Sequence, residues 1–294
     1  MDFKTLVSFV RIAESGSFST AARDLGYSQS ALTMQIKAFE ADLGATLFDR
    51  SGRVIRLTPA GERLLPQAVR ILEAANEARQ SVSEPKNISG GLVIGTYESY
   101  VATVMPEVLE AFGDECPDVE TVVRTGSVET LFALLRQNDI DILYFMDKKV
   151  YFPDWEKIFE RPVKIHMVAS PDSELAGRKQ IPLERLSKEA FYLTEKGISY
   201  RGALEQVFAA RGIELKPRLE IGSTDAILSF VRKNKGISYL PDYAVRKYLK
   251  SGELIILDTE FPPVTLWSQL VYRKYKFVTE PMKRFMSVME RLAP

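Results

Sequence analysis

A chain of 294 residues is too long for one ordinary hydrophobic core, which predicts two or three domains. Hydrophobic residues make up 46% of it and charged residues 27%, a balance that excludes a largely disordered protein. Because the formal net charge is zero, overall basicity does not indicate a nucleic-acid partner, and such an indication must come from local arrangement.

Targeting and redox signals are few. Cys116 is the only cysteine, so the chain cannot form an internal disulfide, and a reducing compartment fits. The first residues lack the basic start and apolar core of a signal peptide. No apolar run approaches the roughly 18 residues that a membrane helix needs. We therefore expect a cytoplasmic protein.

Residues 1–58 begin with the pattern of three short helices. In the first, apolar residues recur at helical spacing: Leu6, Phe9, Val10 and Ala13. Ser17 or Ser19 then caps a second helix, whose apolar side carries Ala21, Ala22 and Leu25. After the turn at Gly26-Tyr27, Ser28 caps a third helix, which Gly44 ends and whose inner face carries Leu32, Ile36 and Phe39.

A small hairpin and a long helix follow. Leu47-Phe48 and Val54-Ile55-Arg56-Leu57 flank a segment that contains Gly52, which predicts a β wing with a glycine turn. Thr58 caps the long helix and Pro59 takes its favoured first position. A narrow apolar stripe along this helix indicates a partner helix, the alternative being an ordinary core helix. The predicted dimer contacts are Leu64, Ala68, Ile71, Ala75, Ala78 and Val82.

Residues 85–91 have the composition of a hinge, and from Leu92 onward the pattern changes. Short β-branched runs alternate with stretches of helical period, which predicts α/β architecture with parallel sheets. The predicted strands are Leu92–Gly95, Val119–Val123, Ile140–Phe145, Val163–Ala169, Phe191–Thr194, Leu219–Ile221, Ile237–Leu240, Leu254–Leu257 and Val264–Val271.

The most informative motif is the run from Phe18 to Thr33. Small Ala21 and Ala22 let the second helix pack closely beneath the third, while Gln29, Ser30 and Thr33 give the third helix a polar start. A recognition helix needs this arrangement, because its N-terminal residues meet base edges in the major groove of DNA. A glutamine there can pair with adenine through two hydrogen bonds.

These residues closely resemble the LysR-type family of bacterial transcriptional regulators. The stretches that carry the resemblance are 16–22 (GSFSTAA), 28–33 (SQSALT), 43–50 (LGATLFDR) and 57–61 (LTPAG). The match is nearly continuous over the first 65 residues and persists as a looser pattern to the C-terminus. One departure is Met34, where the family usually has a basic residue, so the resemblance carries neither a phosphate contact nor a base-reading contact to that position.

The resemblance implies an α+β protein with three parts. They are a winged helix-turn-helix DNA-binding domain at 1–58, a linker helix for dimerisation with its hinge at 59–88, and an effector-binding domain at 89–294. The last is expected to be α/β and similar to periplasmic binding proteins, with lobe 1 at 89–161 and 266–294, lobe 2 at 162–265, and two crossing strands. The implied partners are promoter DNA, a small-molecule effector, further copies of the chain as a dimer of dimers (a homotetramer) and, as a candidate, RNA polymerase.

Residues expected at the DNA lie on the third helix and the wing, since arginines beside a helix-turn-helix can contact phosphates or a narrow minor groove. They are Ser28, Gln29, Ser30, Thr33, Lys37, Arg50, Arg53 and Arg56.

Residues expected at the effector lie in four loops that follow strands, because ligands of open α/β sheets bind outside the carboxyl ends of strands and against helix N-termini. They are Thr96, Tyr97, Glu98, Ser99, Tyr100, Gly126, Ser127, Glu195, Arg201, Ser223 and Thr224. Plain helix caps are the alternative role for each Ser and Thr. Mixed charge with aromatic rings predicts an amphoteric effector, such as an amino acid or an amine-bearing metabolite.

Other functional classes find little support in the residues. His166, the only histidine, lies within a predicted strand, where it is expected to be packed rather than part of a catalytic triad. One His and one Cys are too few for a zinc site, and Gly90-Gly91-Leu92-Val93-Ile94-Gly95 is not a nucleotide-binding motif. We expect no cofactor, no metal and no catalysis. The alternatives are a cytoplasmic solute-binding protein or an enzyme on a two-lobed scaffold.

Overall fold

The computed structural model describes residues 2–50, 55–81 and 88–294 of the chain. Its N-terminal elements are α1 Phe3–Ser15, α2 Phe18–Asp24, α3 Gln29–Leu43, β1 Phe48–Asp49, β2 Arg56–Leu57 and α4 Pro59–Ser81. The elements that lie mainly in lobe 1 are β3 Ser89–Thr96, α5 Glu98–Val101, α6 Met105–Glu115, β4 Asp118–Thr125, α7 Val128–Arg136, β5 Ile142–Asp147, β11 Thr265–Arg273 and α12 Glu280–Leu292. The strand β6 Trp155–Ala169 runs from lobe 1 into lobe 2. Those of lobe 2 are α8 Leu183–Leu186, β7 Tyr192–Leu193, α9 Ser199–Ala209, β8 Leu219–Glu220, α10 Thr224–Arg232, β9 Ser238–Pro241, α11 Asp242–Lys250 and β10 Ile255–Ile256.

The three N-terminal helices pack around their own apolar cluster, as the sequence predicts. Phe9 is completely buried, and its ring lies 6.3 Å from that of Phe39 and 5.4 Å from that of Phe48. Ser17 caps α2 by accepting a hydrogen bond from the backbone N–H of Thr20. Each capped end leaves fewer unpaired N–H groups, which fixes where each helix begins.

The wing strands β1 and β2 pair antiparallel, with Phe48 opposite Leu57. Residues 51–54, which include Gly52 and Arg53, lie outside the described residues. Thr58 caps α4, since its hydroxyl oxygen accepts from the N–H of Gly61 at 3.2 Å. Gly61 lies so close to the wing that a Cβ there would meet the carbonyl oxygen of Leu47 at 2.3 Å. A glycine at this position therefore lets the long helix start directly against the hairpin.

The C-terminal part has a mixed sheet with strand order β10-β6-β11-β5-β3-β4, and β9 also pairs with β6. The predicted parallel pairing is confirmed for β3 with β4, β3 with β5, and β7 with β8. It is wrong for β11 with β5 and for β6 with β9, β10 and β11, which are antiparallel. For β6 and β11 the reason is that the chain enters lobe 2 along β6 and returns to lobe 1 along β11, so the two strands run in opposite directions beside each other.

The helix-turn-helix contacts lobe 1 of the same chain at the turn that precedes α12. Arg273 donates a hydrogen bond to the carbonyl oxygen of Glu14 at 3.1 Å, and the N–H of Phe277 donates to the Glu14 carboxylate at 3.3 Å. The ring of Phe277 packs against the N-terminal apolar cluster. Within the described ranges, no helix combines the length and the apolar character needed to cross a bilayer.

Candidate functional site

The N-terminus of α3 presents a polar surface. The Ser28 hydroxyl caps the helix by accepting from the N–H of Ala31 at 3.2 Å, and the Ser30 hydroxyl lies 3.1 Å from it. The Gln29 side-chain oxygen accepts from the Ser19 hydroxyl at 3.1 Å, which holds this side chain over the turn between α2 and α3. Ser28, Gln29 and Ser30 are all exposed. They can therefore reach the edges of bases in a groove without rearrangement of the helix.

One exposed face of α3 continues this surface. Ser30, Met34 and Lys37 recur at helical spacing and are exposed, and the opposite face buries Leu32 and Ile36. Thr33 is half-buried, and its hydroxyl donates to the carbonyl oxygen of Gln29 at 2.8 Å. Met34 is 72% exposed, although it is apolar. In a major groove, an exposed apolar side chain can contact the methyl group of thymine, whereas Lys37 can pair with a phosphate.

The arginines of the wing have different environments. Arg50 pairs with the Glu40 carboxylate at 2.9 Å, and its guanidinium lies 5.0 Å from the centre of the Phe18 ring. It thus joins the wing to α3 and α2, and its side chain is only 30% exposed. Arg56 on β2 is exposed, and Arg53 lies outside the described residues. The structure therefore leaves Arg56 more accessible to a phosphate than Arg50.

The apolar stripe of α4 is partly buried in the core of the N-terminal domain and partly exposed. Ala68 is completely buried in the N-terminal cluster, against which Leu64 also packs, as in an ordinary core helix. Ile71 is 36% exposed and Ala78 is exposed. Ala75 lines a cavity of about 620 Å³ between α1, α4 and the turn before α12. Val82 lies outside the described residues. Part of the stripe thus faces the chain's own core, and part remains accessible.

A cavity of about 290 Å³ lies between the lobes, where three of the four predicted loops meet and part of the fourth reaches it. Its lining residues are Tyr97, Glu98, Ser99, Thr125, Gly126, Ser127, Thr194, Glu195, Lys196, Ile198, Tyr200 and Gly222. This set contains six of the predicted effector residues: Tyr97, Glu98, Ser99, Gly126, Ser127 and Glu195. The other six lining residues were not predicted: Thr125, Thr194, Lys196, Ile198, Tyr200 and Gly222. All of them except Thr194 lie in the same loops as predicted effector residues.

Five predicted effector residues lie next to the cavity rather than on its lining. Thr96 and Tyr100 are completely buried behind it. Ser223 caps α10 by accepting from the N–H of Ala226 at 3.3 Å, the alternative role considered for such residues. Thr224 donates a hydrogen bond to Glu98. Arg201 is buried inside lobe 2, where it pairs with Glu205 and Glu220.

Arg201 is held by a network inside lobe 2. It is 2% exposed, donates to Glu205 at 3.0 Å and Glu220 at 2.8 Å, and also donates to the carbonyl oxygen of Thr194. The hydrogen bond from Arg201 keeps the pKa of Glu220 below its ordinary value. Since this carboxylate and that of Glu205 are partly exposed, water can solvate them if the guanidinium is removed.

We expect Arg201→Met to lower the free energy of unfolding by about 1–3 kcal/mol, less than for a fully buried ion pair. The pKa of Glu220 is lower in the folded protein than in the unfolded chain, so its ion pair stabilises the fold at pH values above the ordinary pKa of glutamate. This stabilisation is lost as the pH falls through the pKa that Glu220 has in the folded protein. The variant should therefore lose less stability than wild type on acidification. Urea unfolding at several pH values tests this, with the exposed Arg178→Met as the control. Equal stability of Arg201→Met and wild type at neutral pH would contradict it.

Hydrogen bonds join the lobes across the cavity. The Glu98 carboxylate accepts from the N–H of Thr224 at 3.1 Å and from its hydroxyl at 2.8 Å. The Ser99 hydroxyl lies 3.0 Å from that of Tyr243. The Ser199 hydroxyl donates to the carbonyl oxygen of Met146 at 2.6 Å. These bonds hold the cleft in one lobe angle.

Tyrosines from both lobes pack behind and beside the cleft. The ring of Tyr100 lies 4.2 Å from that of Tyr144 and 4.5 Å from that of Tyr243. Burial raises the pKa of Tyr144 and of Tyr200 to about 12, and burial also raises the pKa of Tyr97 well above its ordinary value. These hydroxyls therefore stay protonated at neutral pH and act as neutral hydrogen-bond groups.

His166 and Cys116 are packed within the fold rather than placed in the cleft. His166 lies in β6 with its Nε2 3.3 Å from the Asp242 carboxylate. Cys116 ends α6 and is 2% exposed, and burial raises the pKa of its thiol, which disfavours the reactive thiolate. Among residues 2–50, 55–81 and 88–294, no three His, Cys, Asp or Glu side chains cluster in a way that could hold a metal ion.

Two family models match the chain in series. A bacterial regulatory helix-turn-helix protein of the lysR family matches residues 3–62, and the LysR substrate binding domain matches residues 85–293. The uncharacterized HTH-type transcriptional regulator YwqM of Bacillus subtilis is 30% identical over 291 residues, which cover 98% of each chain. A probable nitrogen assimilation transcriptional activator of Synechococcus elongatus is also 30% identical, over 97% of this chain and 93% of that one.

Solved structures share the fold over the whole chain or over its C-terminal part. A full-length OxyR variant from Pseudomonas aeruginosa has a TM-score of 0.62 at 20% identity, over 100% of this chain and 96% of that one. Full-length CbnR complexed with its target DNA has a TM-score of 0.52 at 23% identity, over 100% of both chains. The regulatory domain of CcmR from Synechocystis, in complex with 2-PG, has a TM-score of 0.58 at 22% identity, over 70% of this chain and 98% of that one. The chain therefore belongs to the LysR family of DNA-binding transcriptional regulators, with a helix-turn-helix and a substrate-binding domain, and it is a regulator rather than an enzyme.

Proposed function

We propose that this regulator reads its operator with the N-terminus of α3, holds the DNA backbone with Lys37 and the wing, and responds to a small molecule in the cleft between its lobes. The observation that carries the DNA assignment is the exposed polar face formed by Ser28, Gln29 and Ser30, with half-buried Thr33 beside it, on a helix packed firmly from behind. Arg53 and Arg56 are assigned to phosphates. Arg50 is assigned chiefly to positioning the wing, since Glu40 already holds it.

Replacing a residue that reads bases should affect DNA affinity differently from replacing a residue that contacts phosphates. Gln29→Ala is expected to weaken binding to the operator by about 1–3 kcal/mol and to change binding to random DNA little, because it removes base-edge hydrogen bonds. Arg56→Ala should weaken both and lower the slope of log affinity against log salt by about one. Titrations of DNA flanking the gene and of a random duplex at several salt concentrations measure both effects.

The exposed Lys188, far along the chain in lobe 2, supplies the control for these titrations. Lys188→Ala should leave both affinities and the salt slope unchanged. Equal losses on operator and random DNA for Gln29→Ala would refute the assignment of base reading to α3.

We assign the chain to the cytoplasm and to a homotetramer built as a dimer of dimers. The part of the α4 stripe that remains accessible supports a contact between copies, and residues 1–58, 59–88 and 89–294 are assigned to DNA binding, dimerisation with hinge, and effector binding. CbnR complexed with its target DNA supports the DNA partner, and CcmR with 2-PG supports a small-molecule ligand in the C-terminal domain. RNA polymerase remains a candidate partner at the promoter.

The effector is assigned to the cavity of about 290 Å³, which is lined from both lobes. A ligand that touches both lobes binds the closed state better than the open one, so it shifts the population of lobe angles. Because the helix-turn-helix contacts lobe 1 through Glu14 and Phe277, a change of lobe angle can alter the spacing of the DNA-binding heads. Footprints of the operator with and without effector test this switch, and identical footprints at saturating effector would exclude it.

A further inference from the structure

We propose that Glu98 supplies, from within the chain, the anion that the N-terminus of α10 binds, and that the cleft therefore selects an effector by a cationic amine group rather than by an acid group. This inference rests on the proposed effector site.

Glu98 occupies the position where an acidic ligand would bind. It lies in the first turn of α5 in lobe 1, whereas Thr224 begins α10 in lobe 2. Both hydrogen bonds from Thr224, 3.1 Å from its N–H and 2.8 Å from its hydroxyl, end on the same Glu98 oxygen, Oε2. A helix N-terminus favours a negative charge through its unpaired N–H groups and its dipole. The protein's own carboxylate thus satisfies this end of α10.

The rest of the cavity is also better suited to a cation. Glu195 is a second lining carboxylate, and Gly222 makes room for it, because a Cβ there would lie 3.1 Å from that carboxyl group. Lys196 is the one cation among the described lining residues, against the two carboxylates of Glu98 and Glu195; Glu195 and Lys196 are both exposed. Two acidic groups of opposite lobes therefore face one space.

Neutral groups complete a site for an ammonium group. Tyr97 and Tyr200 line the cavity and stay uncharged, and the faces of aromatic rings attract cations. Thr194 lines it too and is 5% exposed; within the described part of the chain no group makes a well-aligned hydrogen bond to its hydroxyl, although the Tyr200 side chain is near enough for the contact to offset part of the rise that burial causes in the pKa of Tyr200. Since a buried hydroxyl without a well-aligned partner is unfavourable, a ligand that donates a hydrogen bond to it would be stabilised.

A carboxylate or phosphate ligand would have to displace Glu98 from Thr224 or bind beside two like charges. An amine would bind between Glu98 of lobe 1 and Glu195 of lobe 2. Its positive charge would attract both carboxylates and so strengthen the contact between the lobes beyond the hydrogen bonds of Glu98 with Thr224. The structure thus predicts that removal of the Glu98 side chain reverses the charge preference of the cleft, since it frees the N-terminus of α10.

Isothermal titration calorimetry on the full chain tests this reversal. The cationic probes are 1,4-diaminobutane and agmatine, and the anionic probes are succinate and inorganic phosphate. Wild type should bind a cationic probe at least tenfold more tightly than either anion. Glu98→Ala should lose at least tenfold in affinity for that cation and gain at least tenfold for an anion.

Two further variants separate charge from folding. Glu98→Gln can still accept from Thr224 but carries no charge, so it should lose amine affinity and gain no anion affinity. Glu107→Ala, at an exposed glutamate of α6, should behave like wild type. The inference is overturned if wild type binds the anions as tightly as the amines, or if Glu98→Ala gains no anion affinity while its circular dichroism matches wild type. Operator binding by wild type is measured separately, and its absence would count against the proposed function instead.

Discussion

Replacing Ile71 and Ala75 together by aspartate is expected to convert the regulator into monomers and to abolish binding to a palindromic operator. Ile71 is 36% exposed on α4, and Ala75 lines the cavity that α4 forms with α1. Two apolar residues of α1 border the same cavity and are exposed, Phe3 by 50% and Val7 by 39%. An apolar surface of this extent on two adjacent helices fits burial against a second copy.

The expected size of the effect follows from the geometry of operator binding. A symmetric operator needs two recognition helices roughly 34–36 Å apart, or a multiple of that distance. A monomer binds only one half-site and loses the gain from linked binding, which is about 10²- to 10⁴-fold. Two carboxylates in the interface would be buried without partners, a cost that favours separate chains.

Sedimentation velocity and operator titration measure the two outcomes. Arg70→Asp places the same acidic group at an exposed position of α4 outside the apolar stripe, and it should leave the assembly intact. Circular dichroism shows whether the double variant is folded. A folded double variant that sediments as wild type and binds the palindrome normally would refute a dimer interface on this helix.

The N-terminal fold could be predicted closely because its signals are local. Ser17, Ser28 and Thr58 cap the helices that the sequence assigned to them, and Gly44 ends α3 in the left-handed conformation, with φ of 63°. Each of these signals depends on residues within one helical turn.

The crossing strands were less accessible to sequence reasoning. The predicted strand Val163–Ala169 is only the second half of β6, which starts at Trp155. The first half carries Glu156, Lys157 and Glu160, so it lacks an apolar run, and pairing with β11 decides its conformation. Antiparallel pairing between strands about 100 residues apart leaves no mark in the local pattern.

For the cleft too, the sequence predicts the loops from local signals but not the side-chain positions that depend on distant residues. The loops that line it could be found, because each follows a strand and precedes or caps a helix. Which side chains face the cavity depends on the angle between the lobes and on long-range partners. Arg201 turns away because Glu205 and Glu220 hold it, and Glu98 is fixed by Thr224, which is 126 positions later in the chain.

Glu40→Ala should both destabilise the DNA-binding domain and weaken operator binding, although Glu40 was not among the predicted DNA-binding residues. Its Oε1 accepts from the N–H groups of Leu47 at 2.8 Å and Phe48 at 3.2 Å, and its Oε2 pairs with Arg50 at 2.9 Å. One side chain on α3 therefore fixes the start of the wing relative to the recognition helix.

Without this carboxylate, two part-buried N–H groups and the Arg50 guanidinium lose their acceptor. Each buried group left without a partner costs about 1–3 kcal/mol, and water can restore part of that at the rim, so we expect a loss of about 2–5 kcal/mol in unfolding free energy. The wing would also lose its orientation, and operator affinity should fall at least tenfold because β2 carries Arg56. Urea unfolding and operator titration measure the two losses.

Two variants make the result specific to these contacts. Glu40→Gln keeps an oxygen that can accept from Leu47 and Phe48 but removes the charge that Arg50 pairs with, so its losses should be smaller than those of Glu40→Ala. Glu62→Ala changes an exposed glutamate in the first turn of α4, where the interaction with the helix dipole is worth about 0.3–1 kcal/mol. If Glu40→Ala unfolds at the same urea concentration as Glu62→Ala and binds the operator equally well, the wing is held by other contacts, and the role assigned to Glu40 and Arg50 is wrong.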